Sequence, residues 1–258
     1  MFRNILKFAG TALWATAAAS VSAQSIYNAA NHDYRVVTVA DDLVQPWSMA
    51  WLPDGDMLIT EKPGRLRIVR DGNLLPEAIP GVPEVFYEGQ GGLFDVLPHP
   101  DFDENRWVYL TYSKKTADSS ATAIARGRLE NDRLTNVVEI FEAQASGFGH
   151  YGGKIVIDIN GYIFFTLGDR MAPPIGDEDA LRAHPAQDRS NHQGVVVRLN
   201  DDGTIPSDNP FVGQAGILPE IWSWGHRSPQ GLAIHPETGD LWESEHGPQG
   251  GDEINRIE

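Results

Sequence analysis

The chain has 258 residues, no cysteine and a formal net charge of −16, from 20 Lys+Arg against 36 Asp+Glu. The missing thiols exclude disulfides, thiolate metal centres and covalently attached c-type haem. The acidic balance argues against nucleic acid or an anionic membrane surface as a partner, while a few arginines focused in a cleft can still hold an anionic cofactor.

Residues 1–23 have the three parts of a secretory signal peptide: a basic start at Arg3 and Lys7, an apolar Ala-rich run over 8–21, and the small-residue site Val21-Ser22-Ala23. The apolar run is too short to cross a bilayer of ~30 Å as a helix. The reading is export to a bacterial periplasm or beyond, with a mature chain from Gln24 that does not span the membrane. That chain carries a formal charge of −18, because the signal removes two basic residues and no acidic one.

Beyond Gln24 the sequence is a succession of short Val, Ile, Leu, Tyr and Trp runs punctuated by Asp-Gly, Asn-Gly and Pro, and no segment sustains a 3.6-residue apolar period. Four segments share one unit, an apolar strand, a turn, then a second apolar strand ending in a small polar residue: 47–61, 91–112, 152–169 and 229–248. Aligned at Thr60, Thr111, Thr166 and Ser244, they lie 51, 55 and 78 residues apart. This spacing predicts an all-β chain of β-propeller blades, and the longer last interval predicts an inserted loop at 171–189. A β-sandwich is the alternative, but it does not need a repeated unit of this length. The chain ends on Asp-Glu-Ile-Asn-Arg-Ile-Glu, whose alternation predicts one further strand.

Several motifs then stand in order: GQGGLFDVLPHPDF (89–102), GHYGGKIVID (149–158), TLGDR (166–170), AQDRSNHQGVVVRLNDDG (186–203), SDNPFVG (207–213), LPEIWSWGHRSPQGLA (218–233) and EHGPQGGDEIN (245–255). Together they resemble the glucose/sorbosone dehydrogenase family, over about residues 35–258. The resemblance implies a six-bladed propeller that binds pyrroloquinoline quinone (PQQ) and calcium on top of the ring. It also implies that residues 24–258 hold about four to four and a half of those blades, roughly the first two thirds of such a protein.

On the resemblance, Gln90 matches a substrate-contacting glutamine; a plain loop amide is the alternative. His150 sits in a Gly-rich turn just before a strand, where an imidazole suits removal of a proton from a sugar hydroxyl. The family's histidine at this place is the base for oxidation of an aldose at C1; a locally bonded turn histidine is the other reading. Asp169, ending the partner strand, is placed to orient that imidazole. Arg227 offers paired donors for quinone and carboxylate oxygens. Ser228 stands where the family usually has Asn, which shortens one cofactor contact, and Lys154 stands where relatives commonly have Arg.

Gly247 and Pro248 match positions whose carbonyls bind the cofactor's calcium, and Glu253 matches a carboxylate serving another calcium; oxygen donors of this kind suit the ion. The other histidines, His99, His192, His226, His235 and His246, form no recognisable zinc spacing. Gln187, Asp188 and His192 either line the funnel over the site or anchor a loop. The functional expectation is PQQ-dependent oxidation of an aldose to its lactone, with electrons passed to a separate carrier or membrane quinone. A calcium-dependent propeller lactonase and a binding module without catalysis are the alternatives.

Overall fold

The repeated units predicted from Thr60, Thr111, Thr166 and Ser244 become successive antiparallel sheets in a computed structural model that describes residues 26–145, 147–172 and 182–258. The predicted export signal lies outside the described residues. Residues before Ala40 form a unit of their own. In it β1 (Ile26–Tyr27) pairs with β2 (Tyr34–Arg35), and the rings of Tyr27 and Tyr34 stack at 5.4 Å.

The second unit, from Ala40 onward, carries the blades. The first is β3 (Pro46–Trp51), β4 (Met57–Glu61), β5 (Arg65–Arg70) and β6 (Asn73–Leu74), and the second is β7 (Leu93–Pro98), β8 (Trp107–Lys115), β9 (Ser120–Glu130) and β10 (Arg133–Glu142). A one-turn helix, α1 (Phe102–Asn105), sits in the turn between β7 and β8. The third is β11 (Ile155–Ile157), β12 (Ile163–Leu167), β13 (Val195–Leu199) and β14 (Ile221–Trp224). The fourth has three strands, β15 (Pro229–Ile234), β16 (Leu241–Glu245) and the predicted last strand β17 (Glu253–Ile257). Each blade is an up-and-down meander, and the first strands β3, β7, β11 and β15 pack in series, which is the propeller arrangement. The expected insertion falls between β12 and β13; its described part includes a 3-10 turn at Pro185–Gln187, and 173–181 lie outside the described residues.

Alternation along each strand decides what the blades bury. On β8, Val108, Leu110 and Tyr112 join the core shared with the first blade, whereas Tyr109 faces the third. On β12 and β13, Ile163, Phe165, Val195 and Val197 face the second blade, and Phe164 and Val196 face the fourth. These inner strands are therefore buried on both faces. Each fully buried side chain of this size contributes about 1.5–3 kcal/mol, so packing between blades contributes substantially to stability. The end blades keep one open face: Met49 and Trp51 on β3, and Trp242 on β16, are exposed.

The aligned threonines explain themselves in this frame. Thr60 Oγ1 accepts the Ser48 N–H at 3.0 Å and donates to the Phe94 carbonyl of the next blade at 2.5 Å. Thr111 repeats this, accepting from Asp95 N at 2.9 Å and donating to the Gly153 carbonyl at 2.5 Å, and Thr166 accepts from Lys154 N at 3.0 Å. Register breaks at Pro46/Ser48 and Leu93/Val96 free the N–H groups that the first two hydroxyls take up. Thr111→Val keeps the shape and strands two buried backbone groups, so a loss of about 1–3 kcal/mol in a urea melt is expected; an unchanged midpoint would contradict this role.

Candidate active site

In an up-and-down blade the first strand begins, and the second ends, at the same edge of the ring. A cleft of about 320 Å³ lies at that edge, walled by Gln90, His150 and Tyr151, by Arg227 and Ser228, and by Trp47, Lys62 and His246. It joins residues far apart in sequence, because each blade contributes the loop entering its first strand and the residues leaving its second.

His150 is buried, at 9% exposure, with a left-handed backbone (φ 41°). Its N–H donates to Gln90 Oε1 at 2.7 Å, so one oxygen of Gln90 fixes the turn and its amide NH2 is left for the cleft. His150 Nδ1 lies 2.6 Å from Asp169 Oδ1. A carboxylate oxygen can only accept, so Nδ1 carries the hydrogen and Nε2, without a partner among the described residues, is the basic nitrogen. Asp169 is 2% exposed, and the same oxygen accepts from Met171 N at 3.0 Å. His184 Nε2 stands 3.8 Å from the other oxygen.

Gly168 makes this meeting possible. A Cβ there would lie 2.1 Å from the His150 carbonyl oxygen and 3.0 Å from that of Arg227, closer than real contacts allow. With no side chain at 168, Asp169 N donates to the Arg227 carbonyl at 2.8 Å. Three strand ends from two blades are thereby locked around the carboxylate. Arg170 braces the opposite side, its guanidinium over the Tyr151 ring at 3.8 Å and bonded to the carbonyls of Ser120 and Gly147.

Arg227 Nη1 donates to the His246 carbonyl at 2.8 Å, which sets the guanidinium at the cleft. Glu245 Oε2 receives the backbone N–H groups of both Arg227 and Ser228. Ser228 is buried and its hydroxyl accepts from Gln230 Nε2 at 3.4 Å, so a glutamine stands beside the shortened side chain. Lys154 is directed elsewhere: its Nζ pairs with the buried Asp95 at 2.9 Å.

The three residues singled out for calcium are distributed differently. Gly247 begins a tight turn, where a Cβ would lie 2.3 Å from the Gly251 oxygen and 2.6 Å from that of Gly250; its N–H donates to Asp252 Oδ1. Such a carbonyl-rich turn suits a hard cation. Pro248 lines a second cleft, with Asp169, His184 and Gln187. Glu253, at the start of β17, is tied through Asn255 to Glu243 and Glu245 rather than to that turn. Burial, and next the charge of Glu245, push the Glu243 carboxyl up to about 7.

His192 is a buried anchor, accepting from Gln144 N at Nδ1 and lying 2.9 Å from Glu220 at Nε2, while Asp188 caps its own turn through Ser190 N. The cleft residues Trp47 and Lys62 escaped the sequence reading, as did His184, and His246 was noted only as a histidine without zinc spacing. The repeat held a signal for two of them: Lys62 and His246 each follow the aligned Thr or Ser by two positions, as Gly168 does, which is where the second strand leaves the sheet.

Residues 43–258 match the family described as Glucose / Sorbosone dehydrogenase. The chain is 43% identical over 226 residues to the aldose sugar dehydrogenase YliI of Escherichia coli (strain K12), covering 85% of this chain and 58% of that protein. It is 31% identical over 247 residues to the quinoprotein glucose dehydrogenase B of Acinetobacter calcoaceticus, covering 88% and 51%. Among solved structures, the PQQ-bound aldose sugar dehydrogenase of Streptomyces coelicolor superposes with a TM-score of 0.72 at 28% identity, over 86% of this chain and 63% of that one. The chain thus spans somewhat over half the length of these relatives, and it belongs to the glucose/sorbosone dehydrogenase family.

Proposed function

We propose that the protein is a PQQ-dependent dehydrogenase that oxidises an aldose at C1 to the lactone, with His150 as general base. The observation that carries this reading is the 2.6 Å bond from His150 Nδ1 to Asp169, in the wall of a cleft that also presents Arg227 and Lys62. The donor set suits a small anionic quinone bearing three carboxylates: among the described residues the Lys62 ammonium bonds only to the Gly89 carbonyl, and Arg227 keeps most of its N–H groups free of protein partners. The cleft lies at the lower end of the ~300–1,000 Å³ typical of small-molecule sites. A quinoprotein and a PQQ-bound enzyme among its relatives support the same cofactor.

Bound PQQ supplies the two-electron acceptor for the hydride that leaves the sugar. His150 Nε2 takes the hydroxyl proton, and Asp169 holds the ring in the required tautomer and stabilises it once charged. Arg227 and Lys62 hold carboxylate or quinone oxygens through charge-assisted bonds. Gln90 and Ser228 add neutral donors around them. The carbonyls of Gly247 and Pro248 would hold a calcium at the cofactor, and Glu253 would serve a further calcium. Electrons pass on to a separate soluble carrier or membrane quinone, and the formal −18 of the mature chain favours a basic carrier at low salt. The site of action is the periplasm or the exterior.

The test is a PQQ titration of the chain with and without Ca²⁺, read by quinone absorbance. A saturable shift that needs Ca²⁺ and is weakened by Arg227→Ala is expected. No shift, together with lactone hydrolysis, would favour a calcium-dependent hydrolase and sink this reading.

A further inference from the structure

Beneath Arg227 lies a group of side chains that the proposed chemistry does not use. His226, Glu243 and Glu245 are all buried, and one donor atom from each falls within 4.8 Å of the others. His226 Nδ1 is 3.4 Å from Glu245 Oε1 and 3.8 Å from Glu243 Oε2. From these residues we infer a divalent transition-metal site of the zinc class, with His226 Nδ1 and the carboxylates of Glu243 and Glu245 as its ligands.

Two observations point to a cation at this group. The Glu243 side chain is 0% exposed and its carboxylate reaches into the group through Oε2, yet its Oε1 is buried without a hydrogen-bond partner. In addition, Asn255 Nδ2 has two hydrogens but faces three carboxylate oxygens, those of Glu243, Glu245 and Glu253, at 3.1–3.3 Å. Two buried carboxylates elsewhere in the fold have Lys or Arg partners: Glu61, which occupies in the first blade the place of Glu245, has Arg65 and Arg67, and Asp95 has Lys154. Among the described residues no lysine or arginine side chain pairs with Glu243 or Glu245. Ionising both buried carboxylates against one imidazole is costly, and a divalent ion relieves that cost.

The donor chemistry selects the ion. Zinc bonds of about 2.0–2.2 Å set tetrahedral donors about 3.3–3.6 Å apart, close to the spacing of His226 from the two carboxylates. His226 Nε2 lies 2.9 Å from Ser223 Oγ, so its N–H has an outer partner that presents Nδ1 to a metal. Calcium prefers six to eight oxygens, so an imidazole ligand separates this site from the Gly247 turn. Because Glu245 also holds the N–H groups of Arg227 and Ser228, an ion here fixes the strand entry that presents Arg227 to the cleft.

The test is calorimetric titration of the EDTA-treated chain with Zn²⁺ in excess Ca²⁺, with Co²⁺ as a spectroscopic probe of geometry. One equivalent of Zn²⁺, tetrahedral Co²⁺ bands, and at least ~100-fold weaker binding in both Glu243→Gln and His226→Gln are expected. Glu243→Gln is nearly isosteric and decides the matter should His226→Gln fail to fold. No zinc uptake, or uptake unchanged in Glu243→Gln, would overturn the assignment. So would a chain that Glu243→Gln stabilises while Zn²⁺ leaves the wild type unaffected, which would mark a pair sharing one proton.

Discussion

His150→Gln is expected to slow aldose-driven reduction of the bound quinone by about 10²–10⁴-fold, the usual contribution of a positioned general base, while PQQ affinity stays within a factor of two or so. The split follows from the geometry. Nδ1 is committed to Asp169 and the backbone N–H to Gln90, so the basic Nε2 alone is available for the proton, and glutamine has no basic atom to replace it. Asp169→Asn should act in the same direction with the His150 ring still in place, because an amide no longer enforces the tautomer that leaves Nε2 free. Single-turnover absorbance after mixing with aldose measures both. A His150→Gln rate within threefold of wild type would remove His150 from the chemistry.

The largest effect on stability is expected at Asp95, where replacement by Ala should cost about 3–5 kcal/mol, the usual range for breaking a buried ion pair. For a chain of this size that lowers Tm by about 10 °C. This carboxylate is 1% exposed and ties three places together: Ser48 of the first blade, its own Val96 N–H, and Lys154 with Ile155 N of the third blade. Loss of Asp95 leaves those donors without an acceptor at the junction of three blades. Lys154→Met should cost less, because Asp95 keeps Ser48 and two backbone N–H groups and the lysine side chain is 30% exposed. The ordering Asp95→Ala below Lys154→Met below wild type in thermal melts checks the argument; equal losses would contradict it. The position that sequence comparison marks as a conservative exchange of charge is, in this chain, a tie between blades.

The fold was legible because the blades repeat one physical solution. A strand alternation that buries both faces, a turn, and a threonine that closes a register break and reaches the next blade leave a period in the sequence. The pair His150 and Asp169 was legible for a related reason, since the ends of consecutive strands meet at one edge of the ring. Lys62 and Trp47 were not singled out: they come from the first blade, and only the curved succession of blades brings them to the cleft that Arg227 also lines. The cluster of His226, Glu243 and Glu245 escaped because its parts belong to an ordinary turn and an ordinary alternating strand. Only the pairing of β15 with β16 sets two carboxylates against one imidazole. Glu253 was singled out by motif alone, and what the sequence did not show is that its carboxylate shares Asn255 with that cluster, four residues of turn beyond Pro248.

The most direct measurement is dye reduction by a panel of aldoses after reconstitution with PQQ and Ca²⁺, made on this chain and on a form extended to the relatives' length. Aldose-dependent reduction that requires PQQ, and that Asp169→Asn lowers, is the expected result in the extended form. Absence of aldose-dependent reduction in both forms, with PQQ and Ca²⁺ saturating, would contradict the dehydrogenase assignment.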